Sequence, residues 1–152
     1  FIIMSYIFPQ HLFPSEKVLI ALGSSIGDAE AIFESAEKFL DENGLEIIKK
    51  SKNHKFPPYG GVAKNEFTNA VWEIEIQGLK EFSYDKARKF LNLLQKCEDH
   101  HGRTREKQWG DRTLDIDILT FGNLECNTTQ LTIPHAEIQK RDFVLIPLRE
   151  IL

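Results

Sequence analysis

The feature that most limits the fold of this chain is an order: a strand, a helix, two strands in succession, a second helix and a fourth strand. Residues 17–22 (KVLIAL) form a short apolar run, the pattern of a buried strand. Residues 23–28 (GSSIGD) read as a turn, with Asp28 as the N-cap of the helix that follows. In that helix Ile32, Phe33, Ala36, Phe39 and Leu40 recur at helical spacing, and Asn43-Gly44 ends it. Residues 45–51 are a second strand, 53–66 a long loop with Pro57-Pro58 and Gly60-Gly61, and 67–77 a strand rich in aromatic and β-branched residues. Ser83 caps a long helix with Ala87, Phe90, Leu91, Leu94 and Cys97 on its apolar stripe, and His101-Gly102 closes it. Residues 115–121 are the fourth strand, and 141–152 a last helix. Right-handed crossovers lay such a βαββαβ order out as an α+β, ferredoxin-like antiparallel sheet with helices packed on one face. That fold hosts many functions, so function has to be argued from the site.

The 152 residues suit one domain. With 41% hydrophobic and 28% charged residues the chain is ordinary for a globular protein and wrong for disorder. Lys and Arg number 19 against 23 Asp and Glu, a net charge of −4, which argues against a nucleic-acid partner or a membrane surface. Two cysteines, Cys97 and Cys126, make no disulfide framework, and a reducing cytoplasm is the expected compartment. Residues 1–16 are apolar without a basic start, too short to span a bilayer and unlike a signal peptide. They are expected to be a disordered or loosely packed leader before a catalytic domain at 17–152. The helical pattern at residues 145–152 is still running at Leu152, as it would if the natural chain continued.

Four constellations could carry chemistry. In Asp115-Ile116-Asp117-Ile118 the side chains alternate faces, so the two acids point one way and the two isoleucines the other. Carboxylates about 6.5–7 Å apart along a strand repel one another unless a cation sits between them, and Mg²⁺ with substrate phosphates suits that site. The plain alternative is a strand with a solvated outer face. Residues 103–112 lead into that strand with four basic groups, Arg103, Arg105, Lys107 and Arg112, and with Trp109. Such a loop could grip a polyphosphate, or it could be an ordinary solvated loop. Pro134-His135 with Arg141 could line a nucleotide pocket or be surface residues. Phe56-Pro57-Pro58-Tyr59 and Phe67-Thr68-Asn69 could sandwich and hydrogen-bond a flat heterocycle, or Phe67 could be core and the prolines a turn.

Phosphate-binding Walker loops, the Rossmann glycine fingerprint and the Gly-x-Ser-x-Gly elbow are all missing from the sequence. Cys97 and His100 stand at i, i+3 on a helix, but no second pair of zinc ligands accompanies them. Phosphoryl chemistry in this chain would therefore lean on a metal and on arginine.

Arg103-x-Arg105, then Trp109-Gly110-x-Arg112-Thr113-Leu114-Asp115-Ile116-Asp117-Ile118-Leu119, then Pro134-His135, closely resembles the 6-hydroxymethyl-7,8-dihydropterin pyrophosphokinase family of folate biosynthesis. The 23–28 turn, Pro57-Pro58 and Phe67-Thr68-Asn69-Ala70 fit the same family, so the resemblance runs from about Lys17 to the end. The resemblance implies transfer of the β,γ-diphosphate of ATP to the hydroxymethyl oxygen of the pterin, with release of AMP. It implies two Mg²⁺ ions on Asp115 and Asp117, with Arg103 and Arg112 on the phosphates as further catalytic residues. Gln95, Glu98, Arg105, Trp109, His135 and Arg141 would line the ATP site, with Ile118, Leu131 and Thr132 near adenine. The pterin would lie between Phe67 and Phe143, held by Asn69 and by the loop bearing Phe56, Pro57 and Tyr59, with Trp109 closing over it.

ATP and the pterin are then the small-molecule partners of a monomer. Phe67 stands where the family often has a Tyr, and two further positions depart from its pattern: Gln108 stands where an Arg is common and Asp111 where a Pro is common. They motivate an alternative, a nucleotide- or pterin-binding module without turnover. A third reading, an RNA-binding domain, is disfavoured by the acidic balance.

Overall fold

The computed structural model describes residues 16–57, 65–102, 113–135 and 141–152. The leader expected over 1–16 lies outside the described residues except for Glu16. Four strands form the main antiparallel sheet: β1 (Val18–Ser24), β2 (Leu45–Lys50), β4 (Phe67–Ile76) and β5 (Asp115–Phe121), in the order β2-β4-β1-β5. A three-residue strand, β3 (His54–Phe56), extends the β4 edge beyond β2, and β6 (Cys126–Asn127) pairs with β7 (Thr132–Ile133) in a separate hairpin. The helices are α1 (Ala29–Glu42), α2 (Tyr84–His100) and α3 (Asp142–Ile151). Among the described residues no helix is long and apolar enough to cross a membrane.

Every residue of β1 is buried, and its side chains divide between two cores. Val18, Ile20 and Leu22 join Phe33, Ala36 and Leu40 of α1 and Ala87, Phe90, Leu94 and Cys97 of α2. Leu19 and Ala21 join Val71, Leu119 and the α3 residues Val144, Leu145, Leu148 and Ile151. The sheet is thus covered on both faces, not on one as expected. The reason lies in the composition of β1: an apolar run without polar alternation exposes a hydrophobic face unless both sides are covered. α1 and α2 take one side and α3 the other.

The helix ends follow their chemistry. An Asp28 carboxylate oxygen accepts from the Ala31 N–H at 3.3 Å, and Ser83 Oγ accepts from the Lys86 N–H at 3.2 Å, each satisfying an amide of the first turn. Asn43 and His101 stand at the two C-caps, as their position before glycine suggests. Cys97 is fully buried, and burial first, then the neighbouring Glu98 charge, pushes its thiol up to about 12, while the His100 ring packs on Phe39. This thiol belongs to the core shared by α1 and α2.

Two expectations shift. β1 runs on through Gly23 and Ser24, which the sequence places in a turn, because β4 supplies Asn69 and Thr68 as partners. The loop expected from residue 53 opens with β3, paired His54 to Asn69, Lys55 to Thr68 and Phe56 to Phe67. Ser51 makes the corner between β2 and β3: its N–H donates to the Val71 carbonyl at 3.0 Å, and its Oγ accepts from the Val71 N–H at 2.9 Å. A side chain stands in the ladder where a backbone carbonyl would otherwise be.

The two-core arrangement is testable. Leu148→Ala, at a fully buried α3 position, should cost about 2–5 kcal/mol of unfolding free energy in denaturant. Ile146→Ala, on the exposed side of the same helix, should change it by about 0.5 kcal/mol or less. Equal losses would contradict the placement of α3.

Candidate active site

Strand β5 sorts its residues as its alternation requires. Ile116 and Ile118 lie in the core shared with α1 and α2, so Asp115 and Asp117 face the opposite side, the side α3 covers elsewhere. Asp115 is half-buried and the Asp117 side chain is 61% exposed. Cross-strand register then decides what they face. Gly23 pairs with Asp115 on one side and Asn69 on the other, and Asn69 pairs with His54. Ala21 likewise stands between Asp117 and Val71. At strand spacings near 4.8 Å, Asp115 and Asn69 are about 10 Å apart across a floor without side chains.

Gly23 makes room for a close approach: a Cβ at this position would sit 3.0 Å from Asn69 Nδ2, and the amide would have to give way by a few tenths of an ångström. The Asn69 amide nitrogen lies 3.5 Å from the Leu22 carbonyl, whereas its Oδ1 is buried and has no hydrogen-bond partner among the described residues. A buried acceptor left unsatisfied costs about 1–3 kcal/mol, so a donor brought by a ligand is strongly favoured at that point.

Three aromatic rings follow one another from the ladder pair next along the strands to α3. Phe67 pairs with Phe56 across the β3–β4 ladder, and the Phe56 ring meets Phe143 of α3 edge-on, with centroids 6.3 Å apart and planes at 64°. The Arg141 guanidinium lies 5.4 Å from the centre of the Phe143 ring, a cation–π contact that sets a positive charge at the start of α3. Pro57 is exposed and follows Phe56 directly.

On the acid side, His135 is placed by its own backbone. Its N–H donates to the Leu119 carbonyl at 3.0 Å, which brings Nε2 to 3.9 Å from an Asp117 oxygen. Thr132 belongs to β7, and Leu131, Ile133 and Ile118 pack in one core. Gln95 is exposed on α2. Glu98, one turn on, is buried, and its carboxylate accepts the Ile116 N–H at 2.7 Å. It therefore fastens α2 to β5 between the two aspartates. Tyr59, Arg103, Arg105, Trp109 and Arg112 lie outside the described residues.

Among the described residues no group of three or more His, Cys, Asp and Glu could hold a metal ion unaided. Two carboxylates on one strand face form an all-oxygen donor set that suits a hard cation completing its shell with ligand oxygens and water, the usual habit of Mg²⁺.

The sequence reading did not single out Glu150 or His54. One Glu150 carboxylate oxygen accepts the Lys52 N–H at 2.8 Å, and the other lies 2.7 Å from His54 Nε2. The Lys52 amide, and then the His54 side chain, hold this carboxyl below the usual carboxylate range. The partners are 96 residues apart, and no local pattern links them.

Known proteins resemble this chain over most of its length. The family described as 7,8-dihydro-6-hydroxymethylpterin-pyrophosphokinase (HPPK) matches residues 19–152. Three relatives carry the name 2-amino-4-hydroxy-6-hydroxymethyldihydropteridine pyrophosphokinase. The Haemophilus influenzae protein is 37% identical over 133 residues, covering 87% of this chain and 79% of its own length. The Bacillus subtilis protein is 39% identical over 133 residues, covering 87% and 75%. The Methylorubrum extorquens protein is 32% identical over 139 residues, covering 89% and 82%.

The Glu98 contact makes its own prediction. Glu98→Ala leaves the Ile116 N–H without its acceptor and should cost about 1–3 kcal/mol in urea unfolding. Glu98→Gln, which still offers a carbonyl oxygen, should recover most of that loss. Identical behaviour of the two variants would contradict the contact.

Proposed function

This chain belongs to the 7,8-dihydro-6-hydroxymethylpterin-pyrophosphokinase family, and from that membership we propose how its residues divide the reaction between them. The reaction itself is the transfer of diphosphate from ATP to the hydroxymethyl group of 6-hydroxymethyl-7,8-dihydropterin, with release of AMP, in folate biosynthesis.

Asp115 and Asp117 hold two Mg²⁺ ions together with the ATP phosphates. When bound, Mg²⁺ supplies the positive charge that neutralises the phosphate oxygens during transfer. Asn69 receives the polar edge of the pterin: its buried Oδ1, unpartnered among the described residues, is the acceptor a ring N–H or amino group needs. Phe67 and Phe143 stack on the ring, with Phe56, Pro57, Tyr59 and Trp109 completing the pocket. Arg103, Arg105 and Arg112 clamp the phosphates, and His135 and Arg141 add charge beside them. Gln95, Ile118, Leu131 and Thr132 line the nucleotide side, and Glu98 acts on it through the Ile116 amide. Diphosphoryl transfer asks little covalent chemistry of a protein, so placing the two substrates and balancing the phosphate charge account for most of what these residues do.

The observation that carries this reading is the register that sets the two carboxylates and the Asn69 amide on one face, with Gly23 between Asp115 and Asn69. A flat ring with a short hydroxymethyl arm fits between them. The antiparallel order β2-β4-β1-β5, with α1 and α2 on one side, supports a ferredoxin-like description of the sheet. Free Cys97 and Cys126 support a cytoplasmic setting.

Asp117→Asn tests the assignment. The side chain is largely exposed, so stability should change by about 0.5 kcal/mol or less, while pterin-dependent AMP formation should fall about a hundredfold or more. Retention of the wild-type rate would remove Asp117 from the metal site.

A further inference from the structure

We propose that the Glu150–His54 pair is a positioning clamp for the pterin pocket, fastening β3 to the far end of α3 so that Phe56 and Phe143 meet at a fixed separation. This inference rests on the pocket assignment above.

β3 has only three residues, and it carries Phe56 and Pro57 toward the site. α3 starts at Asp142, and its first turn bears Phe143. Phe143 and Glu150 are seven residues apart, two turns of helix, and so share one side of α3. The β3 segment meets that side twice. At one end Phe56 meets Phe143, and at the other the Glu150 carboxylate takes the Lys52 N–H at 2.8 Å and His54 at 2.7 Å. Lys49 Nζ adds a longer contact, 3.5 Å, to the Ile151 carbonyl.

Two attachments at opposite ends of a short segment remove the freedom that one would leave. His54 is also the ladder partner of Asn69 and lies on its side of the sheet, so the clamp adjoins the amide that receives the ring. The His54 and Glu150 side chains are 25% and 32% exposed, so most of their surface is covered. A carboxylate that also binds a backbone amide fixes position more firmly than a free surface ion pair does.

The test is steady-state kinetics with separate titrations of pterin and ATP, beside thermal melts, on the full chain. Phe143→Ala marks the pocket and should raise the pterin KM about tenfold or more. Glu150→Ala should raise the pterin KM about tenfold, with the ATP KM within about twofold of wild type. Glu150→Gln keeps an oxygen for the Lys52 N–H and should recover most of the loss. His54→Gln should raise the pterin KM about threefold or more without moving the ATP KM, and it decides the matter by the same split if Glu150→Ala does not fold.

A Phe143→Ala enzyme with an unchanged pterin KM would overturn the pocket assignment and the clamp with it. If Phe143→Ala behaves as expected, the clamp alone is overturned when the Glu150 and His54 variants only lower the melting temperature. It is equally overturned when they raise both KM values alike.

Discussion

A two-residue period runs along β1, β4 and β5, and the direction of every polar group in the site depends on it. Ile116 and Ile118 are buried against α1 and α2, and so are Ile20 and Leu22 beside them. A slip of one residue in any of these pairings would send the isoleucines to the open face and drive Asp115 and Asp117 into hydrocarbon. The hydrophobic core thus aims the carboxylates without touching them. The same argument places Asn69, whose neighbours Ala70 and Trp72 are buried on the α1 and α2 side.

The second dependence is on a missing side chain. β1 is buried throughout and apolar as far as Gly23, where a Cβ would crowd the Asn69 amide. α3 covers the part of this face formed by Leu19, Ala21, Val71 and Leu119, and brings Arg141 and Phe143 toward the part it does not cover. The proposed site is therefore the end of a sheet face that, among the described residues, the third helix stops short of filling. Glu98 extends the logic to the other side: a buried acid spends its charge on the Ile116 amide and holds the acid-bearing strand to α2.

Much of this was legible in the sequence because it is local. The bounds of β5, the Asp28 and Ser83 caps and the stripes of α1 and α2 follow from periods and capping chemistry within a dozen residues. The direction shared by Asp115 and Asp117 needs only the strand period. Register was not legible: that Gly23 stands between Asp115 and Asn69 depends on pairings with strands about 45 and 90 residues away along the chain. β3 and the β6–β7 hairpin are too short to show a period. Glu150 carried no signal, since an acid near the end of an amphipathic helix is the commonest kind of surface residue. The third helix was recognised but given no face of its own, because a helix pattern tells which of its sides is apolar and not which side of a sheet receives it.

The central claim is that the carboxylates and the Asn69 amide belong to one continuous site. Paramagnetic broadening tests it most directly, with Mn²⁺ and a non-hydrolysable ATP analogue added to labelled protein. The account predicts that the Asn69 side-chain amide signals, about 10 Å from the carboxylates, broaden strongly. Those of Asn43, at the other end of the sheet and roughly 26 Å along β4 from Asn69, should persist. Unbroadened Asn69 signals with bound Mn²⁺ would place the metal elsewhere and contradict the account.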